Sequence, residues 1–311
     1  MRALIIGAHG QDGRLLSDIL KSHGFDVSGV VRKMPGASFN SGFAQYYQVD
    51  MSDARKSNEF LDSINPDYIF HLGAVHAPSH TMKSLENNHF EEMYLCHVGI
   101  TEQILRWQKS NPRTRSLIAL SSQMFRGNTE ESRVINEDSN PDSDSSYGIS
   151  KRKAWQALTA HRNDYGVHTS GAILFNHTSS LSKQGFLFPT LVSKICAVIE
   201  GNASHVEVLN EMAEIDISYA GEICEAMLNA VSQETSGDYV LGSGGAVTIN
   251  SLLGQVSKIM GVDLSVSSLN EPHSAPCLKS SISKAKLVLE WEPKTSPAEL
   301  LVKMTQQSMV N

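Results

Sequence analysis

Tyr147-Gly-Ile-Ser-Lys151 sets a phenol and an ammonium four residues apart. On a helix, positions i and i+4 share a face, so the lysine would lie beneath the tyrosine hydroxyl. A free phenol ionises near ~10, and an adjacent cation favours the anion by on the order of one to three units. That shift would bring Tyr147 into range for proton exchange with a hydroxyl or ketone near neutral pH. The spacing alone recurs on surface helices. It gains weight from Ser121-Ser122, which end an upstream apolar run where a hydroxyl can support the same oxygen. The catalytic candidates are Ser122, Tyr147 and Lys151.

A second constellation lies at the N-terminus, where Gly7, Gly10 and Gly13 follow a short apolar run and open a helical pattern. Glycines there permit a tight turn and let backbone approach a pyrophosphate at the positive end of a helix. Dinucleotide binding is therefore expected, against the plainer reading of a structural turn. Where the next strand ends, Val30-Val31 runs into Arg32-Lys33, with no carboxylate to hold ribose hydroxyls. An arginine can grip a 2′-phosphate bidentately, so NADP is expected over NAD, the alternative being a solvated basic pair. Asp50 falls where a carboxylate can meet the adenine edge, or is an ordinary loop residue.

These residues need a scaffold, and the pattern supplies one. Ala3 to Ile6, Val27 to Val31, Tyr46 to Val49, Tyr68 to Leu72, Leu117 to Leu120 and Thr169 to Leu174 read as short buried strands. Between them lie helical stretches: one with Leu15, Leu16, Ile19 and Leu20 stopping at Gly24, one capped by Ser52, and long ones near 90–109 and 147–164. Strands alternating with helices imply an α/β fold, a doubly wound parallel sheet covered on both faces. After residue 175 the pattern loosens, with a helix near 189–200, short strands around 206–209 and 215–218, and a further core strand at Asp238 to Leu241. The expected organisation is a dinucleotide-binding core over 1–174, joined by later elements near 219–260, and a small C-terminal cap within 175–311. The acidic stretch 126–146 reads as a solvated loop.

With 311 residues, 41% hydrophobic and 19% charged, the chain can bury a sizeable core. A formal charge of −7 gives no reason to expect nucleic acid or anionic membrane as a partner. The short N-terminal apolar run lacks the features of a signal peptide. Four dispersed cysteines (Cys96, Cys196, Cys224, Cys277) read as reduced thiols, and the expected location is cytoplasmic. His71, His76, His80, His89 and His97 crowd one stretch, and His76-x-x-x-His80 with Cys96 has metal-ligand character. Polar loop histidines near an anionic substrate explain the cluster equally, and no metal is expected.

The chain resembles the extended short-chain dehydrogenase/reductases over nearly its whole length. Within them it is most similar to GDP-mannose 4,6-dehydratase and GDP-4-keto-6-deoxy-mannose reductase. The resemblance is carried by Gly7-Ala8-His9-Gly10-Gln11-Asp12-Gly13, Val30-Val31-Arg32, Phe70-His71-Leu72-Gly73-Ala74, Tyr147 with Lys151, and Ile173-Leu174-Phe175-Asn176-His177. It implies a sugar-nucleotide substrate and a Rossmann-type core, with Gln11, Asp12, Leu72, Ala74 and Lys151 joining the glycines around the cofactor. It further implies that Arg32 meets the NADP phosphate and that Asn176 touches the substrate's phosphate or sugar. His76 would sit on the substrate-facing loop, and residues near Thr190 to Lys194 would line the nucleotide pocket. A homodimer through the helices near 90–109 and 147–164 is the superfamily's arrangement.

Three positions depart from that pattern. Counting back from Gly127, Ser122 takes the dehydratases' catalytic hydroxyl position, and Met124 takes that of the glutamate that drives elimination. Ile215 stands where the family has an arginine for the diphosphate, and Arg126 where it has a tyrosine. The redox residues are present, so the expected activity is hydride transfer at C4 of a nucleotide-diphosphate hexose, by a 4-keto reductase or an epimerase. The alternatives are a 4,6-dehydratase with another base, for which Glu130 and Glu131 are nearest, and an NADP-binding sensor without turnover.

Overall fold

The computed structural model describes residues 1–34, 43–75, 90–127 and 131–310. The first half runs β1 (Arg2–Ile6), α1 (Gln11–Ser22), β2 (Asp26–Val30), β3 (Gln45–Tyr47), α2 (Ala54–Ile64) and β4 (Tyr68–His71). A π-turn (Leu95–Gly99) then leads into α3 (Ile100–Ser110), followed by β5 (Arg115–Ser121) and a 3₁₀ turn (Ser122–Phe125). Next come β6 (Arg133–Ile135), α4 (Ser146–Tyr165), β7 (Thr169–Leu174), β8 (Asn176–Thr178), α5 (Leu187–Ile199) and β9 (Val206–Val208). The chain continues through β10 (Glu214–Ile215), β11 (Ile217–Tyr219), α6 (Ala220–Ser232), β12 (Asp238–Leu241), β13 (Val247–Thr248) and α7 (Ile249–Met260). It closes with β14 (Val266–Ser268), β15 (Leu278–Ser280), α8 (Ser283–Leu289) and α9 (Pro297–Val310).

Seven strands form one parallel sheet in the order β12-β7-β5-β4-β1-β2-β3. Their near-continuous apolar runs are what a strand covered on both faces requires. One cluster packs α1, α6 and α8 on one face through Leu16, Leu20, Met227 and Leu289. A second sets α2, α3 and α4 on the other through Leu61, Ile104, Ala154 and Leu158. The strand order reverses between β1 and β4, and at such a switch point a ligand crevice opens beyond the carboxyl ends of the strands. The α/β doubly wound arrangement expected from the sequence is therefore the one observed.

A third cluster joins α5, α7 and α9 through Phe188, Ile195, Leu252, Leu253 and Leu301. Of the span 219–260, α6 and β12 thus pack with the sheet, whereas α7 packs with the C-terminal cluster. Among the described residues no helix is long and apolar enough to cross a membrane.

Two local readings need correction. α2 is capped by Asp53, not Ser52: the Asp53 carboxylate accepts the amides of Arg55 and Lys56, each at 3.0 Å. The Ser52 hydroxyl and amide instead donate to Asp50. The described part of 126–146 is also more than a solvated loop. β6 pairs in parallel with β15, and Asp142 accepts a fork from Arg133 (2.6 and 3.0 Å) and the Gly127 amide. Glu137 takes the Val240 amide at 2.8 Å, covering a donor on the outermost strand. The acidic residues that suggested solvation serve as acceptors for backbone that would otherwise lack partners.

Candidate active site

The glycine turn is shaped by what cannot fit there. Gly7 has φ +90°, and a Cβ on it would meet the Gly73 amide nitrogen at 2.7 Å. A Cβ on Gly13 would meet the Gly7 carbonyl at 2.6 Å, so β1, α1 and the segment after β4 touch through bare backbone. The Gly7 and Ala8 amides bond the Val30 carbonyl, and Gly10 caps α1 without a side chain. The helix N-terminus is therefore presented as backbone donors at the switch point, which fits an anionic dinucleotide.

The side chains of Gln11 and Asp12 turn elsewhere. Asp12 pairs with His177 at 3.0 Å and accepts from Gln11, while the Gln11 carbonyl oxygen accepts from Ser179 and Ser182. His177 also donates through Nδ1 to the Phe175 carbonyl at 2.7 Å. Burial opposes its charge, but the Asp12 carboxylate prevails and lifts His177 to about 9. Asp12 is held below its ordinary value, burial being outweighed by His177. The two residues form a clasp between the cofactor turn and the segment after β7, which leaves the backbone of the turn for a ligand's phosphates.

The other rim residues are open. Arg32 follows β2 with its side chain 86% exposed and paired with Glu92. Lys33 is exposed beside it. Asp50 is exposed, its carboxyl lowered by the two Ser52 donors. Leu72 donates its amide to Ile6 and is half-buried, and Ala74 is exposed. His76, His80, His89 and Glu130 lie outside the described residues.

The catalytic candidates are buried together. Ser145 caps α4 by accepting the Gly148 amide, which starts the helix just before Tyr147. Tyr147 and Lys151 keep 7% and 3% of their surface. The Lys151 ammonium donates to the Ala119 carbonyl on β5 at 2.8 Å and stands 5.9 Å from the phenol ring centroid. The expected depression of the phenol is not found. Burial pushes Tyr147 up to about 12, opposed by a hydrogen bond from Ser121, and pulls Lys151 down to about 8. The phenol is thus protonated at neutral pH, as a proton donor must be.

Ser121, the last residue of β5, is a hydrogen-bond partner of Tyr147, and its Oγ also caps the 3₁₀ turn. Ser122 is buried as the first residue of that turn. Met124 is fully buried in the same turn, Arg126 is exposed, and so is Glu131. Toward the cap, Asn176 donates to the Asp216 carbonyl at 3.0 Å, Lys194 donates to the Glu207 carbonyl, and Ile215 is half-buried.

Two of the crowded histidines are not loop residues. His71 ends β4 with 2% exposure, and Nε2 donates to the Cys96 carbonyl. Burial and nearby Lys151 hold it neutral, down to about 3. His97 lies inside the π-turn with 1% exposure. Among the described residues no group of three or more His, Cys, Asp or Glu side chains is placed to hold a metal ion.

Residues 4–304 match the GDP-mannose 4,6 dehydratase family. The chain is similar to a GDP-mannose 4,6-dehydratase of Sordaria araneosa, at 27% identity, covering 97% of this chain but only 60% of that protein. It is also similar to GDP-mannose 4,6 dehydratase 1 of Arabidopsis thaliana, at 27% identity over 97% of this chain and 88% of the relative. Among solved structures, a putative epimerase from Burkholderia cenocepacia superposes with a TM-score of 0.84 at 22% identity, covering 100% and 98% of the two chains. A UDP-glucuronic acid 4-epimerase from Bacillus cereus, in complex with UDP-glucuronic acid and NAD, gives 0.78 at 18%, covering 99% and 100%.

Proposed function

The chain belongs to the GDP-mannose 4,6-dehydratase family, and on that premise we propose that it carries out hydride transfer at C4 of a nucleotide-diphosphate hexose. The observation that carries the reading is the buried pair Tyr147 and Lys151, with Ser121 half-buried against the phenol, beside a glycine turn open to a dinucleotide. The Gly7, Gly10 and Gly13 backbone would hold the pyrophosphate, and Lys151 the ribose beside the nicotinamide. Bound there, a nicotinamide dinucleotide supplies or accepts the hydride. Tyr147 gives its proton to the C4 oxygen in the reductive direction and takes it back in the other. Ser122, with Ser121, supports that oxygen. Arg32 is exposed where a 2′-phosphate would project, which supports NADP, although the Bacillus cereus epimerase named above was solved with NAD.

Our finer reading is a 4-keto reductase or epimerase, without loss of water. Elimination needs a base for the C5 proton and an acid for the departing C6 oxygen. Met124 offers neither, and no other titratable group stands in its turn. The second reading, 4,6-dehydration, is favoured by the names of the relatives. Mass measurement of the sugar nucleotide after long incubation with GDP-mannose and NADP separates the two. We expect no loss of water; a Tyr147-dependent loss would establish dehydration and a base elsewhere. Turnover with no nucleotide sugar from a broad panel would instead favour a binding-only sensor. Nucleoside-diphosphate sugars fit the half-buried Lys194 and the exposed Asn176 on the cap side. We also propose a homodimer through the helices near 90–109 and 147–164, where Leu95 and the adjoining Tyr165 are exposed.

A further inference from the structure

We infer that His97 is a positioning residue for Tyr147, linking the loop after β4 to the first turn of α4 through one imidazole tautomer. The chain of donors admits a single arrangement. The Val75 amide donates to His97 Nε2 at 3.2 Å, so that nitrogen carries no proton. The proton is then on Nδ1, which donates to Ser150 Oγ at 2.8 Å. Ser150 in turn donates to the Tyr147 carbonyl at 2.8 Å. The opposite tautomer would set two protons against each other at Val75. A charged ring would do the same. The imidazole is therefore a neutral strut, and it takes no part in proton exchange.

The same ring meets the phenol edge to face, with centroids 5.2 Å apart at 87°. Tyr147 is thus held twice by His97, at its ring and, through Ser150, at its backbone. The π-turn makes this possible by turning His97 and Val98 inward, where a widened turn in mid-helix costs stability and is commonly kept for a site. Thr101 Oγ1 donates to the His97 carbonyl at 2.6 Å and steadies the turn from the next one. On the far side, Val75 follows Gly73-Ala74, the segment packed against Gly7. A ligand that moves this segment therefore moves the strut, and with it the phenol.

The inference rests on Tyr147 as proton donor only for its catalytic consequence, so the test reads the phenol directly without turnover. Tyr147 ionisation is followed by ultraviolet difference titration, with Tyr147→Phe as background, in wild type, His97→Ala, His97→Asn, Ser150→Ala and the His97→Ala/Ser150→Ala pair. Asparagine keeps a donor at the Nδ1 position, so His97→Asn should titrate near wild type, from about 12. His97→Ala and Ser150→Ala should each bring the midpoint down by about one unit as the phenol gains water, and the pair should add little to His97→Ala. Nitrogen-15 spectra of wild-type protein should show His97 as the Nδ1–H tautomer throughout the neutral range. That measurement needs no variant to fold. An Nε2–H or titrating ring would overturn the inference, as would an unshifted phenol in both Ser150→Ala and His97→Ala. Failure of Tyr147→Phe to abolish turnover would overturn the proton-donor assignment instead, leaving the strut in place.

Discussion

The first turn of α4 and the end of β2 both lie at the carboxyl edge of the sheet, yet they are built in opposite ways. Tyr147, Lys151, His97 and Ser150 are buried, and each has a polar partner across an element boundary. Arg32, Lys33 and Asp50 stand in solvent, held by one ion pair and one serine. Burial fixes the protonation states of the first group: it holds the phenol neutral and makes Lys151 easier to discharge. Exposure leaves the second group screened and uncommitted. On the proposed function, chemistry is specified by the interior, whereas cofactor choice is left to a rim that a few charges can retune. The comparison can be broken by showing that a buried residue is dispensable or that a rim residue is not.

The largest effect belongs to Tyr147→Phe. It removes the proposed proton donor while leaving the glycine turn intact, so turnover should fall on the order of a hundredfold or more, with NADP affinity within a few-fold of wild type. Ser121→Ala and Ser122→Ala sharpen the assignment beside it. If the hydroxyl that bonds Tyr147 is the working one, Ser121→Ala loses more turnover than Ser122→Ala. Near-normal turnover by the phenylalanine variant would end the catalytic assignment.

Next comes the clasp, which lies between the two extremes with side chains 15% and 21% exposed. His177 is raised to about 9 from 6.5, so its contribution is full below about 6.5 and is lost as pH rises through about 9. Asp12 is depressed, so its share is present above 3.8 and is lost as pH falls through its lower folded value. Together they predict a stability plateau between about pH 3.8 and 6.5 that slopes away as pH rises through neutrality to about 9. His177→Ala strands a buried carboxylate and should cost about 3 kcal/mol at neutral pH, with the alkaline slope reduced. Denaturant unfolding at several pH values measures both, and an unchanged slope would show that the pair is ornamental.

These tests also mark where the sequence was legible. The sheet could be read because Ala3–Ile6, Leu117–Leu120 and Thr169–Leu174 are apolar runs with the length of strands, and periodicity is a local property. Gly7, Gly10, Gly13, Tyr147 and Lys151 could be read because their spacing within one element carries the message. Residues that work across elements could not. His97 reaches Ser150 from 53 positions away, and Asp12 reaches His177 from 165, so neither partner is near enough in the chain to suggest the other. Asp53 displaced Ser52 as the cap because Asp50 engages Ser52, a competition between two neighbours of similar propensity. The acidic residues of 126–146 misled because composition reports polarity and is silent on which backbone amides need an acceptor.

The smallest effect should come from the rim, and its sign is what matters. Arg32→Ala should weaken NADP about tenfold or more and NAD little, since only NADP carries the 2′-phosphate. Glu92 adds a finer test, because its carboxylate competes for the same guanidinium. An exposed ion pair is worth about 0.2–1 kcal/mol, and a phosphate must displace it before gripping the arginine. Glu92→Ala removes both that cost and a like charge beside the phosphate. NADP affinity should therefore rise by about fivefold at most, with NAD unmoved and the gain fading as salt is added. A fall in NADP affinity would mean that Glu92 aligns Arg32 instead of occupying it. An equal rise for both cofactors would place the effect on the shared pyrophosphate and take the 2′-phosphate away from Arg32. Either result would move cofactor choice off the rim and remove the contrast with the buried turn.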